Sequence, residues 1–324
     1  MKSSIIKYAV LLVTCGLLFF YQSCKKKEDS INHKYGLFPE TLVKLDDLNK
    51  VIDNSDISKH VIEGNIALIF PNSDKNDLKQ GAIPYIFDQV TGDIRLAFDL
   101  TNDVFTKNII SKAVAQGNNS VPYRFFCTID GFEYFISSYK NASGNSDFFY
   151  LKNLPVYEFE IQGPFPTTLL NSTANDDYIS FNQDFSAAYF SSDREGKFNI
   201  YTHPFSLTIP LSDQLKRSFI ASVKLDNLNS SENDICPFEH KDVMIFASDR
   251  LGGLGGFDLY YSVFKDDKWS APINFGPGIN TEFDEYMPIL GSVTNFKNSY
   301  LIFSSNREGN GDYDLYFTGI NLPK

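Results

Sequence analysis

A seven-residue phrase recurs three times in the second half of the chain. The copies are FSSDREG at 190–196, FASDRLG at 246–252 and FSSNREG at 303–309. Each copy follows a short apolar run and precedes an aromatic segment that is typical of a β-strand. The repeating unit is therefore strand, glycine-containing turn, strand. Its regular spacing suits one four-stranded blade of a β-propeller with its loops.

The repeat predicts an all-β fold, a β-propeller. A weaker copy lies at 123–151 and another at 67–87. Five blades are predicted, and six remain an alternative because 102–121 fits no copy and terminal repeats are often atypical. The predicted turns lie near Ser73, Ser138, Ser192, Ser248 and Ser305.

The last blade needs a strand from elsewhere in the chain. After Thr318 too few residues remain for a fourth strand and its turn. We expect a segment between 35 and 50 to supply that strand, because it would close the ring and cover a sheet edge.

The first residues have the pattern of an export signal. Lys2 and Lys7 precede a mostly apolar run at 8–21, which is too short to span a membrane. Ser23 and Cys24 then resemble a bacterial lipoprotein processing site, so Cys24 is the predicted lipidation residue. An ordinary secretory signal is the alternative. The predicted organisation is a signal peptide at 1–23, a lipidated tether at 24–34 and a propeller at 35–324.

The charge of the chain argues against nucleic acid as a partner. The formal net charge is −11, whereas phosphate binding needs clustered Lys and Arg. The run KKKED at 25–29 resembles an export tag of Bacteroidota surface lipoproteins, or is a solvated tether. We expect a protein anchored in the outer membrane by its lipid, and the leaflet stays open.

Two cysteines remain for the folded body, Cys127 and Cys236. They fall at neighbouring registers of different blades, where the Cα atoms seldom lie within the roughly 7 Å that a disulfide needs. Both are therefore predicted to be buried free thiols.

The repeated turn contains an acidic or amide residue, an arginine and a glycine. The first suits an Asx turn, the arginine can tie the turn to a carboxylate or to carbonyl groups, and glycine allows positive φ. A structural role is predicted for all nine, since residues repeated in every blade do not converge on one ligand. They are Asp193, Arg194, Gly196, Asp249, Arg250, Gly252, Asn306, Arg307 and Gly309.

These turns resemble the WD40-like PD40 repeat, which runs from a Phe-Ser-Pro-Asp-Gly turn through a strand to Ser-Asp-Arg-x-Gly and Ile-Tyr. The resemblance covers 178–202, 234–262 and 285–318. It implies a TolB-like propeller of a Bacteroidota envelope lipoprotein, a non-catalytic scaffold that binds an envelope protein. The peptidoglycan-binding domain that often follows in such proteins is not expected here.

No catalytic centre, cofactor or metal site is predicted. The four histidines His33, His60, His203 and His240 are isolated in the sequence, without the spacing of a zinc site. The alternative is a surface propeller that binds or cleaves glycans, with two carboxylates in the funnel. Its candidate carboxylates are Asp177, Asp234 and Asp284. Only Trp269 could provide indole stacking, which argues against that alternative.

Overall fold

The protein is a five-bladed β-propeller. The computed structural model describes residues 34–46, 58–62, 65–71, 78–88, 94–96, 99–101, 124–129, 131–154 and 158–323. Within them the strands form five antiparallel sheets, which are the blades.

The blades follow one another along the chain, and only the last recruits a distant strand. The chain opens with β1 (Val43–Lys44). Blade 1 contains β2 (Ser58–Ile62), β3 (Asn65–Pro71), β4 (Leu78–Phe87), β5 (Ile94–Leu96) and β6 (Asp99–Thr101). Blade 2 contains β7 (Arg124–Ile129), β8 (Phe132–Lys140), β9 (Ser146–Leu154) and β10 (Glu158–Pro166). Blade 3 contains β11 (Asp176–Phe181), β12 (Ala187–Ser192), β13 (Asn199–Pro204) and β14 (Val223–Lys224). Blade 4 contains β15 (Asp234–His240), β16 (Val243–Ser248), β17 (Asp258–Lys265), β18 (Lys268–Trp269) and β19 (Ile273–Asn274). Blade 5 contains β20 (Glu285–Ser292), β21 (Ser299–Ser305) and β22 (Asp314–Ile320), and β1 pairs with β22.

The predicted ring closure is confirmed. Val43 pairs with Phe317 and Lys44 with Tyr316 in antiparallel register. Upstream, Phe38 is fully buried and stacks on Phe296 with ring centroids 4.0 Å apart. Its backbone N–H and carbonyl both bond the Asn298 side chain. A short N-terminal strand and one aromatic side chain therefore fasten the start of the chain to the last blade.

The ring has two faces with different roles. The inner strands β11, β15 and β20 pack against one another in sequence. We call the end where the inner strands begin the upper face; it contains the turns at 193–198, 249–257 and 306–313. The end where they finish is the lower face. Strand β20 runs from Glu285 to Ser292, and at about 3.3 Å per residue the two faces are separated by about 25 Å.

The middle strands are buried on both sides because each blade packs between two others. All six residues of β16, VMIFAS, are buried, and this explains why the strands read as continuous apolar runs rather than alternating ones. The short helix α1 (Leu211–Leu215) lies between β13 and β14. Among the described residues no helix has the length and apolarity needed to cross a membrane.

Some sequence predictions shift by a few residues. Ser192, Ser248 and Ser305 end β12, β16 and β21, as the turn positions require. Ser138, however, lies inside β8, because this blade continues to Lys140 before it turns. The alternative of six blades finds no sixth sheet in the described residues. Ser73, the whole of 102–121, the predicted signal peptide and Cys24 lie outside those residues.

Replacing the buried aromatic of the closure tests its contribution. We expect Phe38→Ala to lower the free energy of unfolding by about 3–5 kcal/mol, because it leaves a cavity against Phe296. Leu37→Ala is the matched control: its side chain is 51% exposed, so the change should stay within about 0.5 kcal/mol. Urea denaturation measures both. Equal losses would show that Phe38 does not fasten the ring.

Candidate functional site

A second repeated motif, in the connectors between blades, positions the upper face. It reads LNSTAND at 170–176, LNSSEND at 228–234 and INTEFDE at 279–285. Its first amide binds the third strand of the preceding blade: Asn229 accepts from the Ile200 N–H and donates to its carbonyl. Asn171 and Asn280 make the same pair of bonds to Phe148 and Leu259. Each connector is thereby stitched to the blade that it leaves.

The arginine of the repeated turn meets the last residue of this motif. Arg250 Nη2 lies 2.5 Å from Asp234 Oδ1 and 2.7 Å from the Leu228 carbonyl, and its Nε donates to Ser248. Its guanidinium lies 4.6 Å from the ring centroid of Tyr260. Asp234 is fully buried. A charge at such depth needs a hydrogen-bonded partner, and Arg250 supplies it.

The same unit occurs in blades 3 and 5. Arg194 pairs with Asp176 at 2.5 Å, and Arg307 pairs with Glu285 at 3.2 Å. Both lie over the ring of a third-strand tyrosine, Tyr201 or Tyr316. Each of the three arginines thus binds a carboxylate of its own blade.

The acidic or amide residue of the turn bonds across the hairpin instead of forming an Asx turn. The Asp193 carboxylate accepts from the backbone and side-chain N–H groups of Asn175, and Asp249 does the same with Asn233. Gly196, Gly252 and Gly309 follow with φ of 96°, 90° and 74°. In blade 5 the two residue types are exchanged. Asn306 stands in the turn and Asp284 in the connector, so a carboxylate moves towards the centre of the upper face.

The inner strands share a bulge at which a residue other than glycine has positive φ. These residues are Tyr178, Cys236 and Met287, with φ of 61°, 56° and 51°. The register of each strand shifts across this point, as in a β-bulge. Cys236 Sγ then lies 3.4 Å from Met287 Sδ. Cys236 is a buried free cysteine, as predicted; the Cys127 side chain lies outside the described residues.

At the upper end of the funnel the bulge brings aromatic rings together. The Tyr178 hydroxyl of blade 3 bonds the Tyr286 hydroxyl of blade 5 at 2.5 Å, and blade 4 lies between these two blades. Phe198 packs against Tyr178, and Phe257 and Tyr313 pack against Tyr286, with centroids 6.1–6.3 Å apart. We call these five residues the mouth cluster. All five are partly exposed, so apolar ring surface faces the upper solvent.

Asp284 lies beside the mouth cluster. Its Oδ1 accepts from the Phe257 N–H at 2.9 Å, and its Oδ2 accepts from the Tyr313 hydroxyl at 3.1 Å. A Cβ on Gly256 would collide with Asp284 Oδ1, so a larger residue there would displace the Asp284 carboxylate. Burial, and then the charge of Asp284, raises the pKa of Tyr313 above its usual range. Tyr313 therefore stays a neutral donor.

Asp177 is buried in the wall between blades 2 and 3. It precedes the bulge of its strand by one residue, the register that Tyr286 has in blade 5. Ser138 donates to its Oδ1. Burial raises the pKa of Asp177 in spite of that bond and of the nearby charge of Lys140. A carboxyl whose pKa is raised in this way can hold a proton at higher pH than an exposed one.

The three aspartates considered in the sequence therefore do not share one role. Asp234 is paired with Arg250, whereas within the described part of the chain neither Asp177 nor Asp284 forms a salt bridge with an arginine. Trp269 is buried against Tyr189 and Phe264. Within the described part of the chain, no group of three or more His, Cys, Asp or Glu side chains is arranged to hold a metal ion.

The sequence analysis missed the connector motif and the mouth cluster. The first could have been found from the recurrence of Asn-Ser or Asn-Thr five residues before the inner strand. The second could not, because its members lie on three blades and are brought together only by the ring.

Comparison with known proteins supports the propeller fold and contradicts the predicted family. No family model and no curated protein matches the chain. A thermostable family-43 glycoside hydrolase has a TM-score of 0.56 at 12% identity, covering 83% of this chain and 90% of that one. The endo-arabinase of Bacteroides thetaiotaomicron VPI-5482 gives 0.53 at 11%, covering 90% and 98%. A GH43_1 enzyme of Xanthomonas citri complexed with xylose gives 0.51 at 8%, covering 87% and 91%. At such identities the likeness shows the shared propeller fold.

The assignment to the PD40 repeat family is wrong, because no family model matches and these structural neighbours are family-43 glycoside hydrolases. The prediction of a non-catalytic protein-binding scaffold depended on that resemblance and is corrected with it. The prediction that the chain is not an enzyme is contradicted by these neighbours, which are glycoside hydrolases. The lipid at Cys24, the outer-membrane location and the envelope protein partner stay predictions.

The buried arginine pair can be tested by its removal. We expect Arg250→Ala to cost about 3–5 kcal/mol of unfolding free energy, since it leaves the Asp234 carboxylate buried without its cation. Lys224→Ala breaks an exposed pair with Glu195 at 2.9 Å and should cost less than about 1 kcal/mol. Chemical denaturation of both variants measures the difference. Similar losses of unfolding free energy in the two variants would show that the buried pair stabilises the fold no more than the exposed pair does.

The raised pKa of Asp177 predicts a pH dependence of stability. The folded state binds this proton more tightly than the unfolded chain. The stabilisation is therefore complete below the ordinary pKa of 3.8 and is lost as the pH rises through the folded pKa. The melting temperature of the parent should therefore fall as the pH rises through this range. We expect the melting temperature of Asp177→Asn to fall less.

Asp184→Asn is the opposite control, because hydrogen bonds from Ser186 lower the pKa of the exposed Asp184. Removal of the Asp184 carboxylate should lower the melting temperature at pH values above the ordinary pKa of Asp. Parallel melting curves for Asp177→Asn and the parent across this pH range would contradict the first expectation.

Proposed function

We propose that this propeller is a glycoside hydrolase that binds a sugar chain at the mouth cluster. The observation that carries the proposal is the set of five partly exposed aromatic rings at the upper end of the funnel, next to the Asp284 carboxylate. Aromatic rings pack against apolar faces of ligands, while tyrosine hydroxyls and a carboxylate bond their polar groups. Sugar rings have both kinds of surface. Tyrosine and phenylalanine would do the stacking, because the single tryptophan of the sequence, Trp269, is buried against Tyr189 and Phe264.

The charges of the upper face narrow the choice of catalytic groups. Asp176, Asp234 and Glu285 are each bound to an arginine. At the start of the same strands, two further carboxylates are not paired with an arginine: Asp284, which is half-buried at the mouth, and Asp177, whose pKa burial raises. Glycoside hydrolysis needs a protonated carboxyl to donate to the leaving oxygen and an ionised one to act as base or nucleophile. In our proposal Asp177 is the proton donor and Asp284 is the ionised carboxylate.

The structural neighbours support this proposal by their chemistry. Two of them are an endo-arabinase and an enzyme complexed with xylose. Arabinan and xylan are therefore the first polysaccharides to offer, followed by β-1,3-galactan, which another neighbour with a TM-score of 0.50 suggests.

The test separates binding from cleavage. We expect the purified protein to bind one of these polysaccharides in affinity electrophoresis and to release reducing ends from it. Tyr286→Ala should weaken binding about tenfold or more, since it removes the central ring of the cluster. Tyr35→Ala, which removes an exposed aromatic on the lower face, should leave binding unchanged.

The roles of Asp284 and Asp177 are tested by the rate of bond cleavage. Asp284→Asn and Asp177→Asn should keep binding but lose about 100-fold or more of the rate of bond cleavage, the usual contribution of acid–base groups. If a polysaccharide binds and neither substitution slows its cleavage, the assignment of these two residues is wrong. If no glycan binds, or if Tyr286→Ala binds as well as the parent, the mouth cluster is not a sugar site.

A further inference from the structure

A groove of about 850 Å³ lies on the lower face between blades 4 and 5. Its walls are the ends of the lower hairpins of both blades and the C-terminal residues 320–323. The floor includes the apolar side chains of Val243, Leu290 and Phe296. The volume lies within the range of ligand sites in proteins. None of the residues of the mouth cluster lines it, so the groove is separate from the proposed glycan site.

The groove reverses the charge of the chain locally. Lys241, Lys265 and Lys297 line it and are exposed, whereas Asp242 is the one acidic residue among the described residues that line it. The chain as a whole has a net charge of −11. Two further acids, Asp266 and Asp267, follow Lys265 in its hairpin but Lys265 alone of the three lines the groove. The excess of positive side chains therefore holds for the residues that line the groove, and not for the hairpin of Lys265 as a whole.

Two polar side chains add hydrogen-bonding capacity between the lysines. His240 Nε2 lies 2.9 Å from Ser292 Oγ, so the two side chains bridge the lower ends of β15 and β20. A hydroxyl and an imidazole can both donate to an anionic oxygen, and lysine is a common phosphate ligand. The groove thus combines an apolar floor, three lysines and two further polar side chains.

The N-terminal segment leaves the body at this same face. Gly36 donates to the Asn295 carbonyl at 2.7 Å and accepts from the Lys297 N–H at 3.0 Å. The described chain begins just before it, at Lys34. Residues 24–33 reach at most about 35 Å when fully extended. A lipid on Cys24 would therefore keep the lower face, where the chain leaves the body, within about 35 Å of a membrane.

We propose that this groove binds the phosphate headgroup of an anionic phospholipid and seats the lower face on the membrane. The lysines provide the charge complementarity, and the short N-terminal segment provides the proximity. The mouth cluster then faces away from the bilayer. Because the headgroup is bound by the folded body, the binding does not require the lipid on Cys24.

The experiment uses the predicted mature chain, residues 24–324, with Cys24→Ser, because the apolar run at 8–21 would bind vesicles by itself. All described residues are kept. Vesicles of phosphatidylcholine alone are compared with vesicles of equal parts phosphatidylcholine and phosphatidylglycerol. We expect cosedimentation with the anionic vesicles only, and weaker binding as salt rises.

Two double variants remove the same charge from opposite faces. Lys241→Gln with Lys297→Gln should weaken binding to the anionic vesicles about twentyfold, since each basic residue near such a surface contributes about fivefold. Lys140→Gln with Lys197→Gln, both exposed on the upper face, should leave it unchanged. All four side chains are exposed, so unchanged melting temperatures are expected and verify the fold.

Equal weakening by both pairs would show that net charge alone draws the protein to the vesicles, and would overturn the proposal. So would equal binding to both vesicle types, or binding of inorganic phosphate in the groove without binding of vesicles. These outcomes are independent of the glycan assays, since no groove residue is used there.

Discussion

Each of the three best-formed blades depends on a buried arginine–carboxylate pair that joins three parts of the chain. Arg250 holds its own turn through Ser248, the start of the inner strand through Asp234 and the incoming connector through the Leu228 carbonyl. Burying these charges is costly unless every partner is in place. The pair therefore favours one arrangement of turn, strand and connector over its neighbours. Since the connector is also stitched to the preceding blade by Asn229, the same unit fixes how one blade follows another.

Blade 5 departs from this repeated arrangement in one hydrogen-bonded pair. In blades 3 and 4 the connector has the amide and the turn has the carboxylate, and in blade 5 this order is reversed. The hydrogen bond across the hairpin survives the exchange, so the fold tolerates it. What changes is the position of one negative charge, which now lies beside Tyr313 and Phe257. The repeat has thus placed a carboxylate at a point of the ring where the other two blades have an amide.

The sequence predicts the architecture well because the architecture is local and repeated. Turn glycines, strand aromatics and the missing outer strand of blade 5 all follow from spacing, and the closure by β1 agrees with them. The partners of the arginines were harder to predict, since each carboxylate lies in a connector of variable length well upstream. Asp177, Asp234 and Asp284 look equivalent in sequence yet fall at three different registers around the bulge. The family assignment failed because the turn motif describes how a blade is held together, and unrelated propellers meet that requirement with similar residues.

The closure at Phe38 and β1 determines how the molecule responds to force. The N-terminal segment leaves from the lower face, and β1 runs upwards from there alongside β22. Tension between that segment and a ligand held at the upper face would act along the strand axis. The two residues of β1 and the Phe38 ring would then be loaded in shear, with Phe38 stacked on Phe296 as the first contact to bear it. The short strand that closes the ring is consequently also its mechanical link to whatever holds the N-terminus.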